Sequence, residues 1–176
     1  GNVAIHNFHI DRAVVMVKAP KGGVTMRVGD GAYAGRLMGN AELRVEALND
    51  VVLFGYEENA SPGNPLRPVN EGGFLYAYSE QGQIKVGRIQ ASASRFSAVF
   101  ASKGGTILQA FRAENGNVVL TASGDMSVGS LVLHRCGQAT LNVTGDLSID
   151  AFDSYISNAH LTVKQRLTVG RFEISA

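Results

Sequence analysis

"LTASGDMSV" occupies Leu120 to Val128, "LNVTGDLSI" Leu141 to Ile149, and "LTVKQRLTV" Leu161 to Val169. Leu120 and Leu141 lie 21 positions apart, and Leu141 and Leu161 lie 20 apart. The same spacing relates Ala122, Val143 and Val163, then Met126, Leu147 and Leu167, then Val128, Ile149 and Val169. Inside each stretch apolar and polar residues alternate with a period of two, as a strand with one buried face requires; the 3.6 period of a helix is absent. The intervening "SGD" and "TGD" are turn chemistry. Gly124 and Gly145 can take positive φ without steric cost, and Asp125 and Asp146 can bond to nearby backbone amides.

The pattern extends toward the N-terminus. Steps of 21 lead back from Leu120 to Val99, from Ala122 to Ala101 and from Val128 to Ile107, and two steps from Met126 and Val128 reach Ile84 and Val86. "MRVGDGAYAGRL" carries Met26, Val28, Ala32 and Ala34 at matching internal spacing, and Leu43, Val45, Val51 and Leu53 follow with a longer turn between them. A second element, "VGRI" (Val86 to Ile89), "VGSL" (Val128 to Leu131), "IDAF" (Ile149 to Phe152) and "VGRF" (Val169 to Phe172), falls after each pair, and "AGRL" (Ala34 to Leu37) joins the series. Each repeat thus has two short segments around a polar turn, a corner, and a third apolar segment.

One such repeat cannot bury its own apolar face, and stacking copies solves the problem. The expected fold is all-β: a right-handed parallel β-helix of about eight coils with about three strands per turn, forming a rod of roughly 40 Å at the ~4.8 Å strand spacing. Residues 1–176 are expected to form this single domain, as a processed product or part of a longer chain. An antiparallel sandwich is the rival, but it has no reason to hold one residue class at a fixed interval.

One stretch interrupts the repeat. "GYEENASPGNPLRPVNEGG", Gly55 to Gly73, contains Pro62, Pro65 and Pro68, three of the chain's 4 prolines. Proline removes a ladder donor, so these residues are expected outside the sheets, in a loop protruding between two coils. Such a loop is either a tolerated surface insertion or a contact element, whose contact groups would be Tyr56, Glu57, Glu58 and Arg67.

Composition narrows the function. Charged residues make up 18% of the chain and the net charge is +1, without the basic stripe that nucleic-acid binding would need. No stretch approaches the ~18 apolar residues of a membrane-spanning helix. Cys136 is the only cysteine, so no internal disulfide can form. His6 and His9, three apart, would face opposite sides of a strand and so would not share a metal there, although a helical turn would bring them together. His134 and Cys136 alternate on one strand and form only a lone pair of ligands. No cofactor is expected.

A β-helix glycosidase or lyase needs carboxylates, or Asp with Lys and Arg, converging on one lateral face. Here the outward positions are Thr121, Ser123, Ser127, Asn142, Thr144, Ser148, Thr162, Lys164 and Thr168, mostly hydroxyls. Asp150 and Arg171 are 21 apart at the corner and are placed to pair. Asp125 and Asp146 stack one coil apart, where solvated turn residues are commoner than a cation site. "NAS" (Asn59 to Ser61) and "NVT" (Asn142 to Thr144) match the glycosylation acceptor pattern.

"GNVVLTASGDMSVGSL" (Gly116 to Leu131) and "ATLNVTGDLSI" (Ala139 to Ile149) resemble the haemagglutinin-type repeats of large bacterial exoproteins, the filamentous-haemagglutinin and contact-dependent-inhibition adhesins. The match runs from about Val99 to Val169 and is poor before Gly73. The resemblance implies a right-handed β-helix, secretion to the bacterial cell surface, and a non-catalytic role as adhesin or rigid stalk. Its partner would be a host or bacterial surface protein or a glycan. It carries over no catalytic residue. Two other classes fit a β-helix: a cytoplasmic scaffold that self-associates end to end, as bactofilins do, and a carbohydrate-active enzyme with a groove beside the Gly55–Gly73 loop.

Overall fold

A computed structural model describes residues 1–31, 34–58, 60, 63–93 and 95–175. Its strands are β1 (Val3–His6), β2 (His9–Asp11), β3 (Val14–Ala19), β4 (Val24–Arg27), β5 (Arg36–Met38) and β6 (Ala41–Ala47). Then come β7 (Val51–Leu53), β8 (Arg67–Asn70), β9 (Gly73–Ser79), β10 (Ile84–Ala93), β11 (Arg95–Ser102) and β12 (Thr106–Glu114). The last are β13 (Asn117–Ser123), β14 (Met126–His134), β15 (Gln138–Val143), β16 (Leu147–Tyr155), β17 (Ala159–Val163) and β18 (Leu167–Ser175). Among the described residues there is no helix.

Every pairing is parallel, and each strand pairs with its counterpart one coil away. The result is a β-solenoid of about eight coils with three faces. The first face holds β1, β4, β7 and the opening residues of β10, β12, β14, β16 and β18. The second holds β2, β5, β8 and the remainder of those long strands. The third is the separate sheet β3-β6-β9-β11-β13-β15-β17. Where the first face turns into the second, Gly87, Gln109, Gly129, Asp150 and Gly170 drop out of the ladder. These are the corners that the VGRI-type segments announce.

Alternation along each strand sends every second side chain inward, and parallel registry stacks like positions. On the third face Val15, Leu43, Leu75, Ala98, Leu120, Leu141 and Leu161 form one column. Beside it run Val17, Val45, Ala77, Phe100, Ala122, Val143 and Val163. Phe100 is wholly buried between Ala77 and Ala122, so a ring is accommodated by small neighbours above and below. On the first face Val3, Val24, Val51, Ile84, Thr106, Met126, Leu147 and Leu167 stack in the same way.

Registry departs from a fixed step of 21 in the middle of the chain. Leu120 pairs with Ala98, Ala122 with Phe100 and Val128 with Leu108, so Val99, Ala101 and Ile107 are each one place off the column. The cause is the turn "SKGGT" (Ser102 to Thr106), two residues longer than its equivalent "GDM" (Gly124 to Met126) in the next coil, which makes that coil 22 residues instead of 20. "AGRL" is shifted by two: Leu37 pairs with Pro68, whose neighbour Val69 pairs with Ser92, so Leu37 falls in the column of Ala91, not Ile89. Ala32 lies outside the described residues.

Two further sequence expectations are corrected. Pro68 is not outside the sheets but faces inward within β8, paired with Leu37. Its fixed φ suits an extended strand, and the missing N–H removes only one bond from a short ladder. Pro65 is buried just before that strand, and Pro62 lies outside the described residues. Arg171 bonds Asp153 at 2.9 Å and not Asp150, because Asp150 sits at the bend and leaves the ladder.

Thr106 carries the one inward hydroxyl of its column, 2% exposed, and its Oγ1 has no hydrogen-bond partner. A buried, unpaired hydroxyl costs about 1–3 kcal/mol. Thr106→Val is therefore expected to raise unfolding free energy by about 1 kcal/mol, whereas Thr106→Ser, which keeps the hydroxyl and loses a methyl, should lower it. Denaturant titration of the two variants checks the sign.

Candidate functional site

The insertion begins at the corner after β7. Phe54, at φ 54°, turns inward and is fully buried, with its ring 5.9 Å from that of Phe8. The chain then leaves the coil and returns at Leu66, also buried, so the protruding part is shorter than Gly55 to Gly73 and its last segment is strand β8. Gly63 N–H donates to Gly55 O at 2.8 Å and closes the base of the loop.

The loop is strapped to its neighbours. Glu57 N–H donates to Gln109 Oε1 at 3.2 Å, while Gln109 Nε2 donates to Glu57 O at 2.5 Å and Ala60 O at 3.3 Å. On the other side Asn64 Nδ2 donates to Asp30 Oδ1 at 2.9 Å and Gly29 O at 3.3 Å. A Cβ at Gly87 would stand 2.3 Å from Phe54 O, so the absent side chain lets the loop lie on the next corner. Of the four residues expected to make contacts, Glu57 and Glu58 are exposed and Tyr56 is half-buried in this loop. Arg67 instead belongs to β8 on the second face, beside Arg36, with its N–H donating to Gly35 O at 2.7 Å. No ion pair joins Arg67 to Glu57 or Glu58 among the described residues. The loop and the arginine therefore offer two neighbouring surfaces instead of one cluster. Asn59 and Ser61 of "NAS" lie outside the described residues.

The other candidate groups separate. His134 faces outward and stacks on Tyr155 at 4.9 Å between centroids. Cys136 is buried, its Sγ 3.5 Å from Ala113 O, so the two do not converge. Among the described residues no group of three His, Cys, Asp or Glu side chains is placed to hold a metal.

Asp125 and Asp146 cap the next coil. Asp125 Oδ1 accepts from Asp146 N–H at 2.9 Å, and Asp146 Oδ1 accepts from Arg166 N–H at 3.0 Å. Asn2 does the same for Gly23 N–H and Asp50 for Gln83 N–H, both at 2.9 Å. This explains glycines that need no positive φ. A Cβ at Gly145 would lie 2.2 Å from Asp125 Oδ1, and one at Gly82 would lie 2.3 Å from Asp50 Oδ1. Gly124, in contrast, does take φ +96°.

Sequence reasoning missed the third face at β9. Phe74, Tyr76 and Tyr78 project outward in a row and are half-buried, with Arg44 lying 6.0 Å over the Tyr76 ring. "FLYAYS" shows the alternation, but it precedes the well-matched repeats and carries no repeat signature. No protein-family model matches the chain, and neither does any curated protein or solved structure. The resemblance to haemagglutinin-type repeats thus stands on the motif alone.

Asp50 gives a pH prediction. The Gln83 N–H, and to a lesser degree Lys85 at 3.1 Å, hold its carboxyl below the usual 3.8, against burial, which raises it. A depressed folded-state pKa contributes stability that is present above the unfolded value and is lost as pH falls through the folded one. Acid titration of Asp50→Asn should therefore show a shallower loss of stability than the wild type below the ordinary carboxyl range. Identical acid slopes would contradict the assignment.

Proposed function

We propose that this chain is a non-catalytic, adhesin-like β-helix module of a secreted or surface-exposed bacterial protein. It acts as a rigid stalk whose lateral faces and loop meet a host or bacterial surface protein or a glycan. The observation that carries this reading is the parallel ladder, which ties every coil to the next and buries continuous apolar columns. Such a rod keeps its shape while its lateral residues are free to serve contact. The haemagglutinin-type motif supports the same assignment. The outward hydroxyl and amide groups of the third face, among them Thr121, Thr140 and Asn142, supply hydrogen-bonding capacity without converging acids.

A second reading, an end-to-end scaffold of the bactofilin kind, is favoured by one observation. On the last coil Leu167 is 45%, Phe172 57% and Ile174 66% exposed, although each continues an interior column. A second copy, or a further coil of the same polypeptide, would cover them.

The purified protein incubated with bacterial and epithelial cells, together with sedimentation at several concentrations, separates these readings. Saturable retention on cells by a protein whose mass does not grow with concentration is expected. Concentration-dependent filaments without cell retention would favour the scaffold. Release of reducing ends from a glycan panel would overturn the non-catalytic assignment.

A further inference from the structure

The aromatic row on β9 has neighbours of opposite character on its two sides. Toward β6, Phe74 pairs with Glu42, Tyr76 with Arg44 and Tyr78 with Glu46. Toward β11, the same residues pair with Ser97, Val99 and Ala101. Long side chains therefore wall one side, and short ones make a low floor on the other, continuing through the small and polar residues of β13 and β15. Alternate residues of a strand recur at about 6.7 Å, so three rings span about 13 Å along one line. Two hollows flank the line, one of about 380 Å³ at the Phe74 end beside Arg95 and Asn117, the other of about 170 Å³ at the Tyr78 end beside Lys18 and Glu80.

We propose that this step on the third face binds an uncharged linear polysaccharide of equatorially linked pyranoses, lying along β9 against Phe74, Tyr76 and Tyr78. Equatorial linkage makes a flat ribbon whose faces carry axial C–H groups and whose edges carry hydroxyls. The C–H faces suit the rings, and the hydroxyl edges suit Glu42, Ser97 and Asn117. The electrostatics select a neutral chain. Within the wall the charges pair off, Lys18 with Glu46 at 2.9 Å and Arg44 with Glu42 at 2.5 Å, and the charges at the two hollows, Arg95 and Glu80, are of opposite sign at opposite ends of the row. The floor facing the rings, Ser97, Val99 and Ala101, is uncharged. An anionic chain would gain little there, and a protein partner would find only a narrow aromatic strip instead of the broad apolar centre of a stable interface.

This inference names the ligand of the adhesive reading and rests on it. The test titrates β-1,4-linked hexasaccharides of glucose and of N-acetylglucosamine into the protein by calorimetry, alongside the cell-retention measurement. Wild type is expected to bind at least one of them. Tyr76→Ala should weaken binding about ten-fold or more, in line with a lost stacking contact. Tyr76→Phe should bind within about two-fold of wild type, since the ring is kept, and Tyr155→Ala, on the second face, should bind as wild type does. Thermal melts confirm that each variant is folded. No binding of either hexasaccharide by wild type, or equal binding by Tyr76→Ala, overturns the inference, as does a dimer that Tyr76→Ala dissociates in a protein that takes up no saccharide. Cell retention of a wild type that binds neither hexasaccharide sinks this inference and leaves the adhesive reading standing. Saccharide binding by a protein that no cell retains sinks the adhesive reading and leaves the site.

Discussion

A strand in this molecule has no partner within its own coil; its backbone groups are satisfied only by the coils before and after it. That constraint shapes everything else. A parallel ladder fixes which residue lies over which, and a slip of one place would turn an entire apolar set to solvent. The interior columns follow: Leu120 over Leu141 over Leu161, with Phe100 admitted only because Ala77 and Ala122 flank it. With strands locked on both sides, coil length can vary only in the turns. Two extra residues in "SKGGT" and the large insertion after Leu53 are both absorbed at corners, and the strands on either side keep their register.

The corners have their own chemistry. Asn2, Asp50, Asp125 and Asp146 each reach one coil ahead to accept a backbone N–H at the start of the first face. A side-chain oxygen thus stands in where the turn would leave an amide unpaired. For Asp50 and Asp125 the arrangement leaves no room for a Cβ just before the donating amide, where Gly82 and Gly145 stand. Asp146 is accommodated beside Gln165 without a glycine, so the glycine is required by individual close approach and not by the cap itself. Gln109 shows the same economy at the other corner, where leaving the ladder frees its amide to hold the loop.

Much of this was legible in the residues. The alternation around Leu120, Leu141 and Leu161 and the near-constant interval define stacked parallel strands, and the VGRI-type segments mark the second corner. Register in the middle of the chain was not legible, because subtraction by a fixed interval cannot see a turn that has grown by two residues. Pro68 misled because the loss of a donor was weighed without the column its ring fills. That Asp125 and Asp146 accept backbone N–H groups was legible from the turns; that those amides belong to the next coil was not, because each turn was read apart from its neighbour. The loop residues Tyr56, Glu57 and Glu58 were found by their break with the repeat. Phe74, Tyr76 and Tyr78 were overlooked because an outward aromatic row keeps the strand period and so raises no alarm.

The column registry can be tested through its outer face. Thr121 and Asn142 are register partners on β13 and β15, so cysteines there would lie about one strand spacing apart, within reach of a disulfide. In a Cys136→Ala background, Thr121→Cys with Asn142→Cys should cross-link completely under mild oxidation. Val119→Cys with Asn142→Cys, displaced by two places along the strand, should stay reduced. Cross-linking of the displaced pair, or none in the aligned pair of a folded protein, would contradict the stacked arrangement.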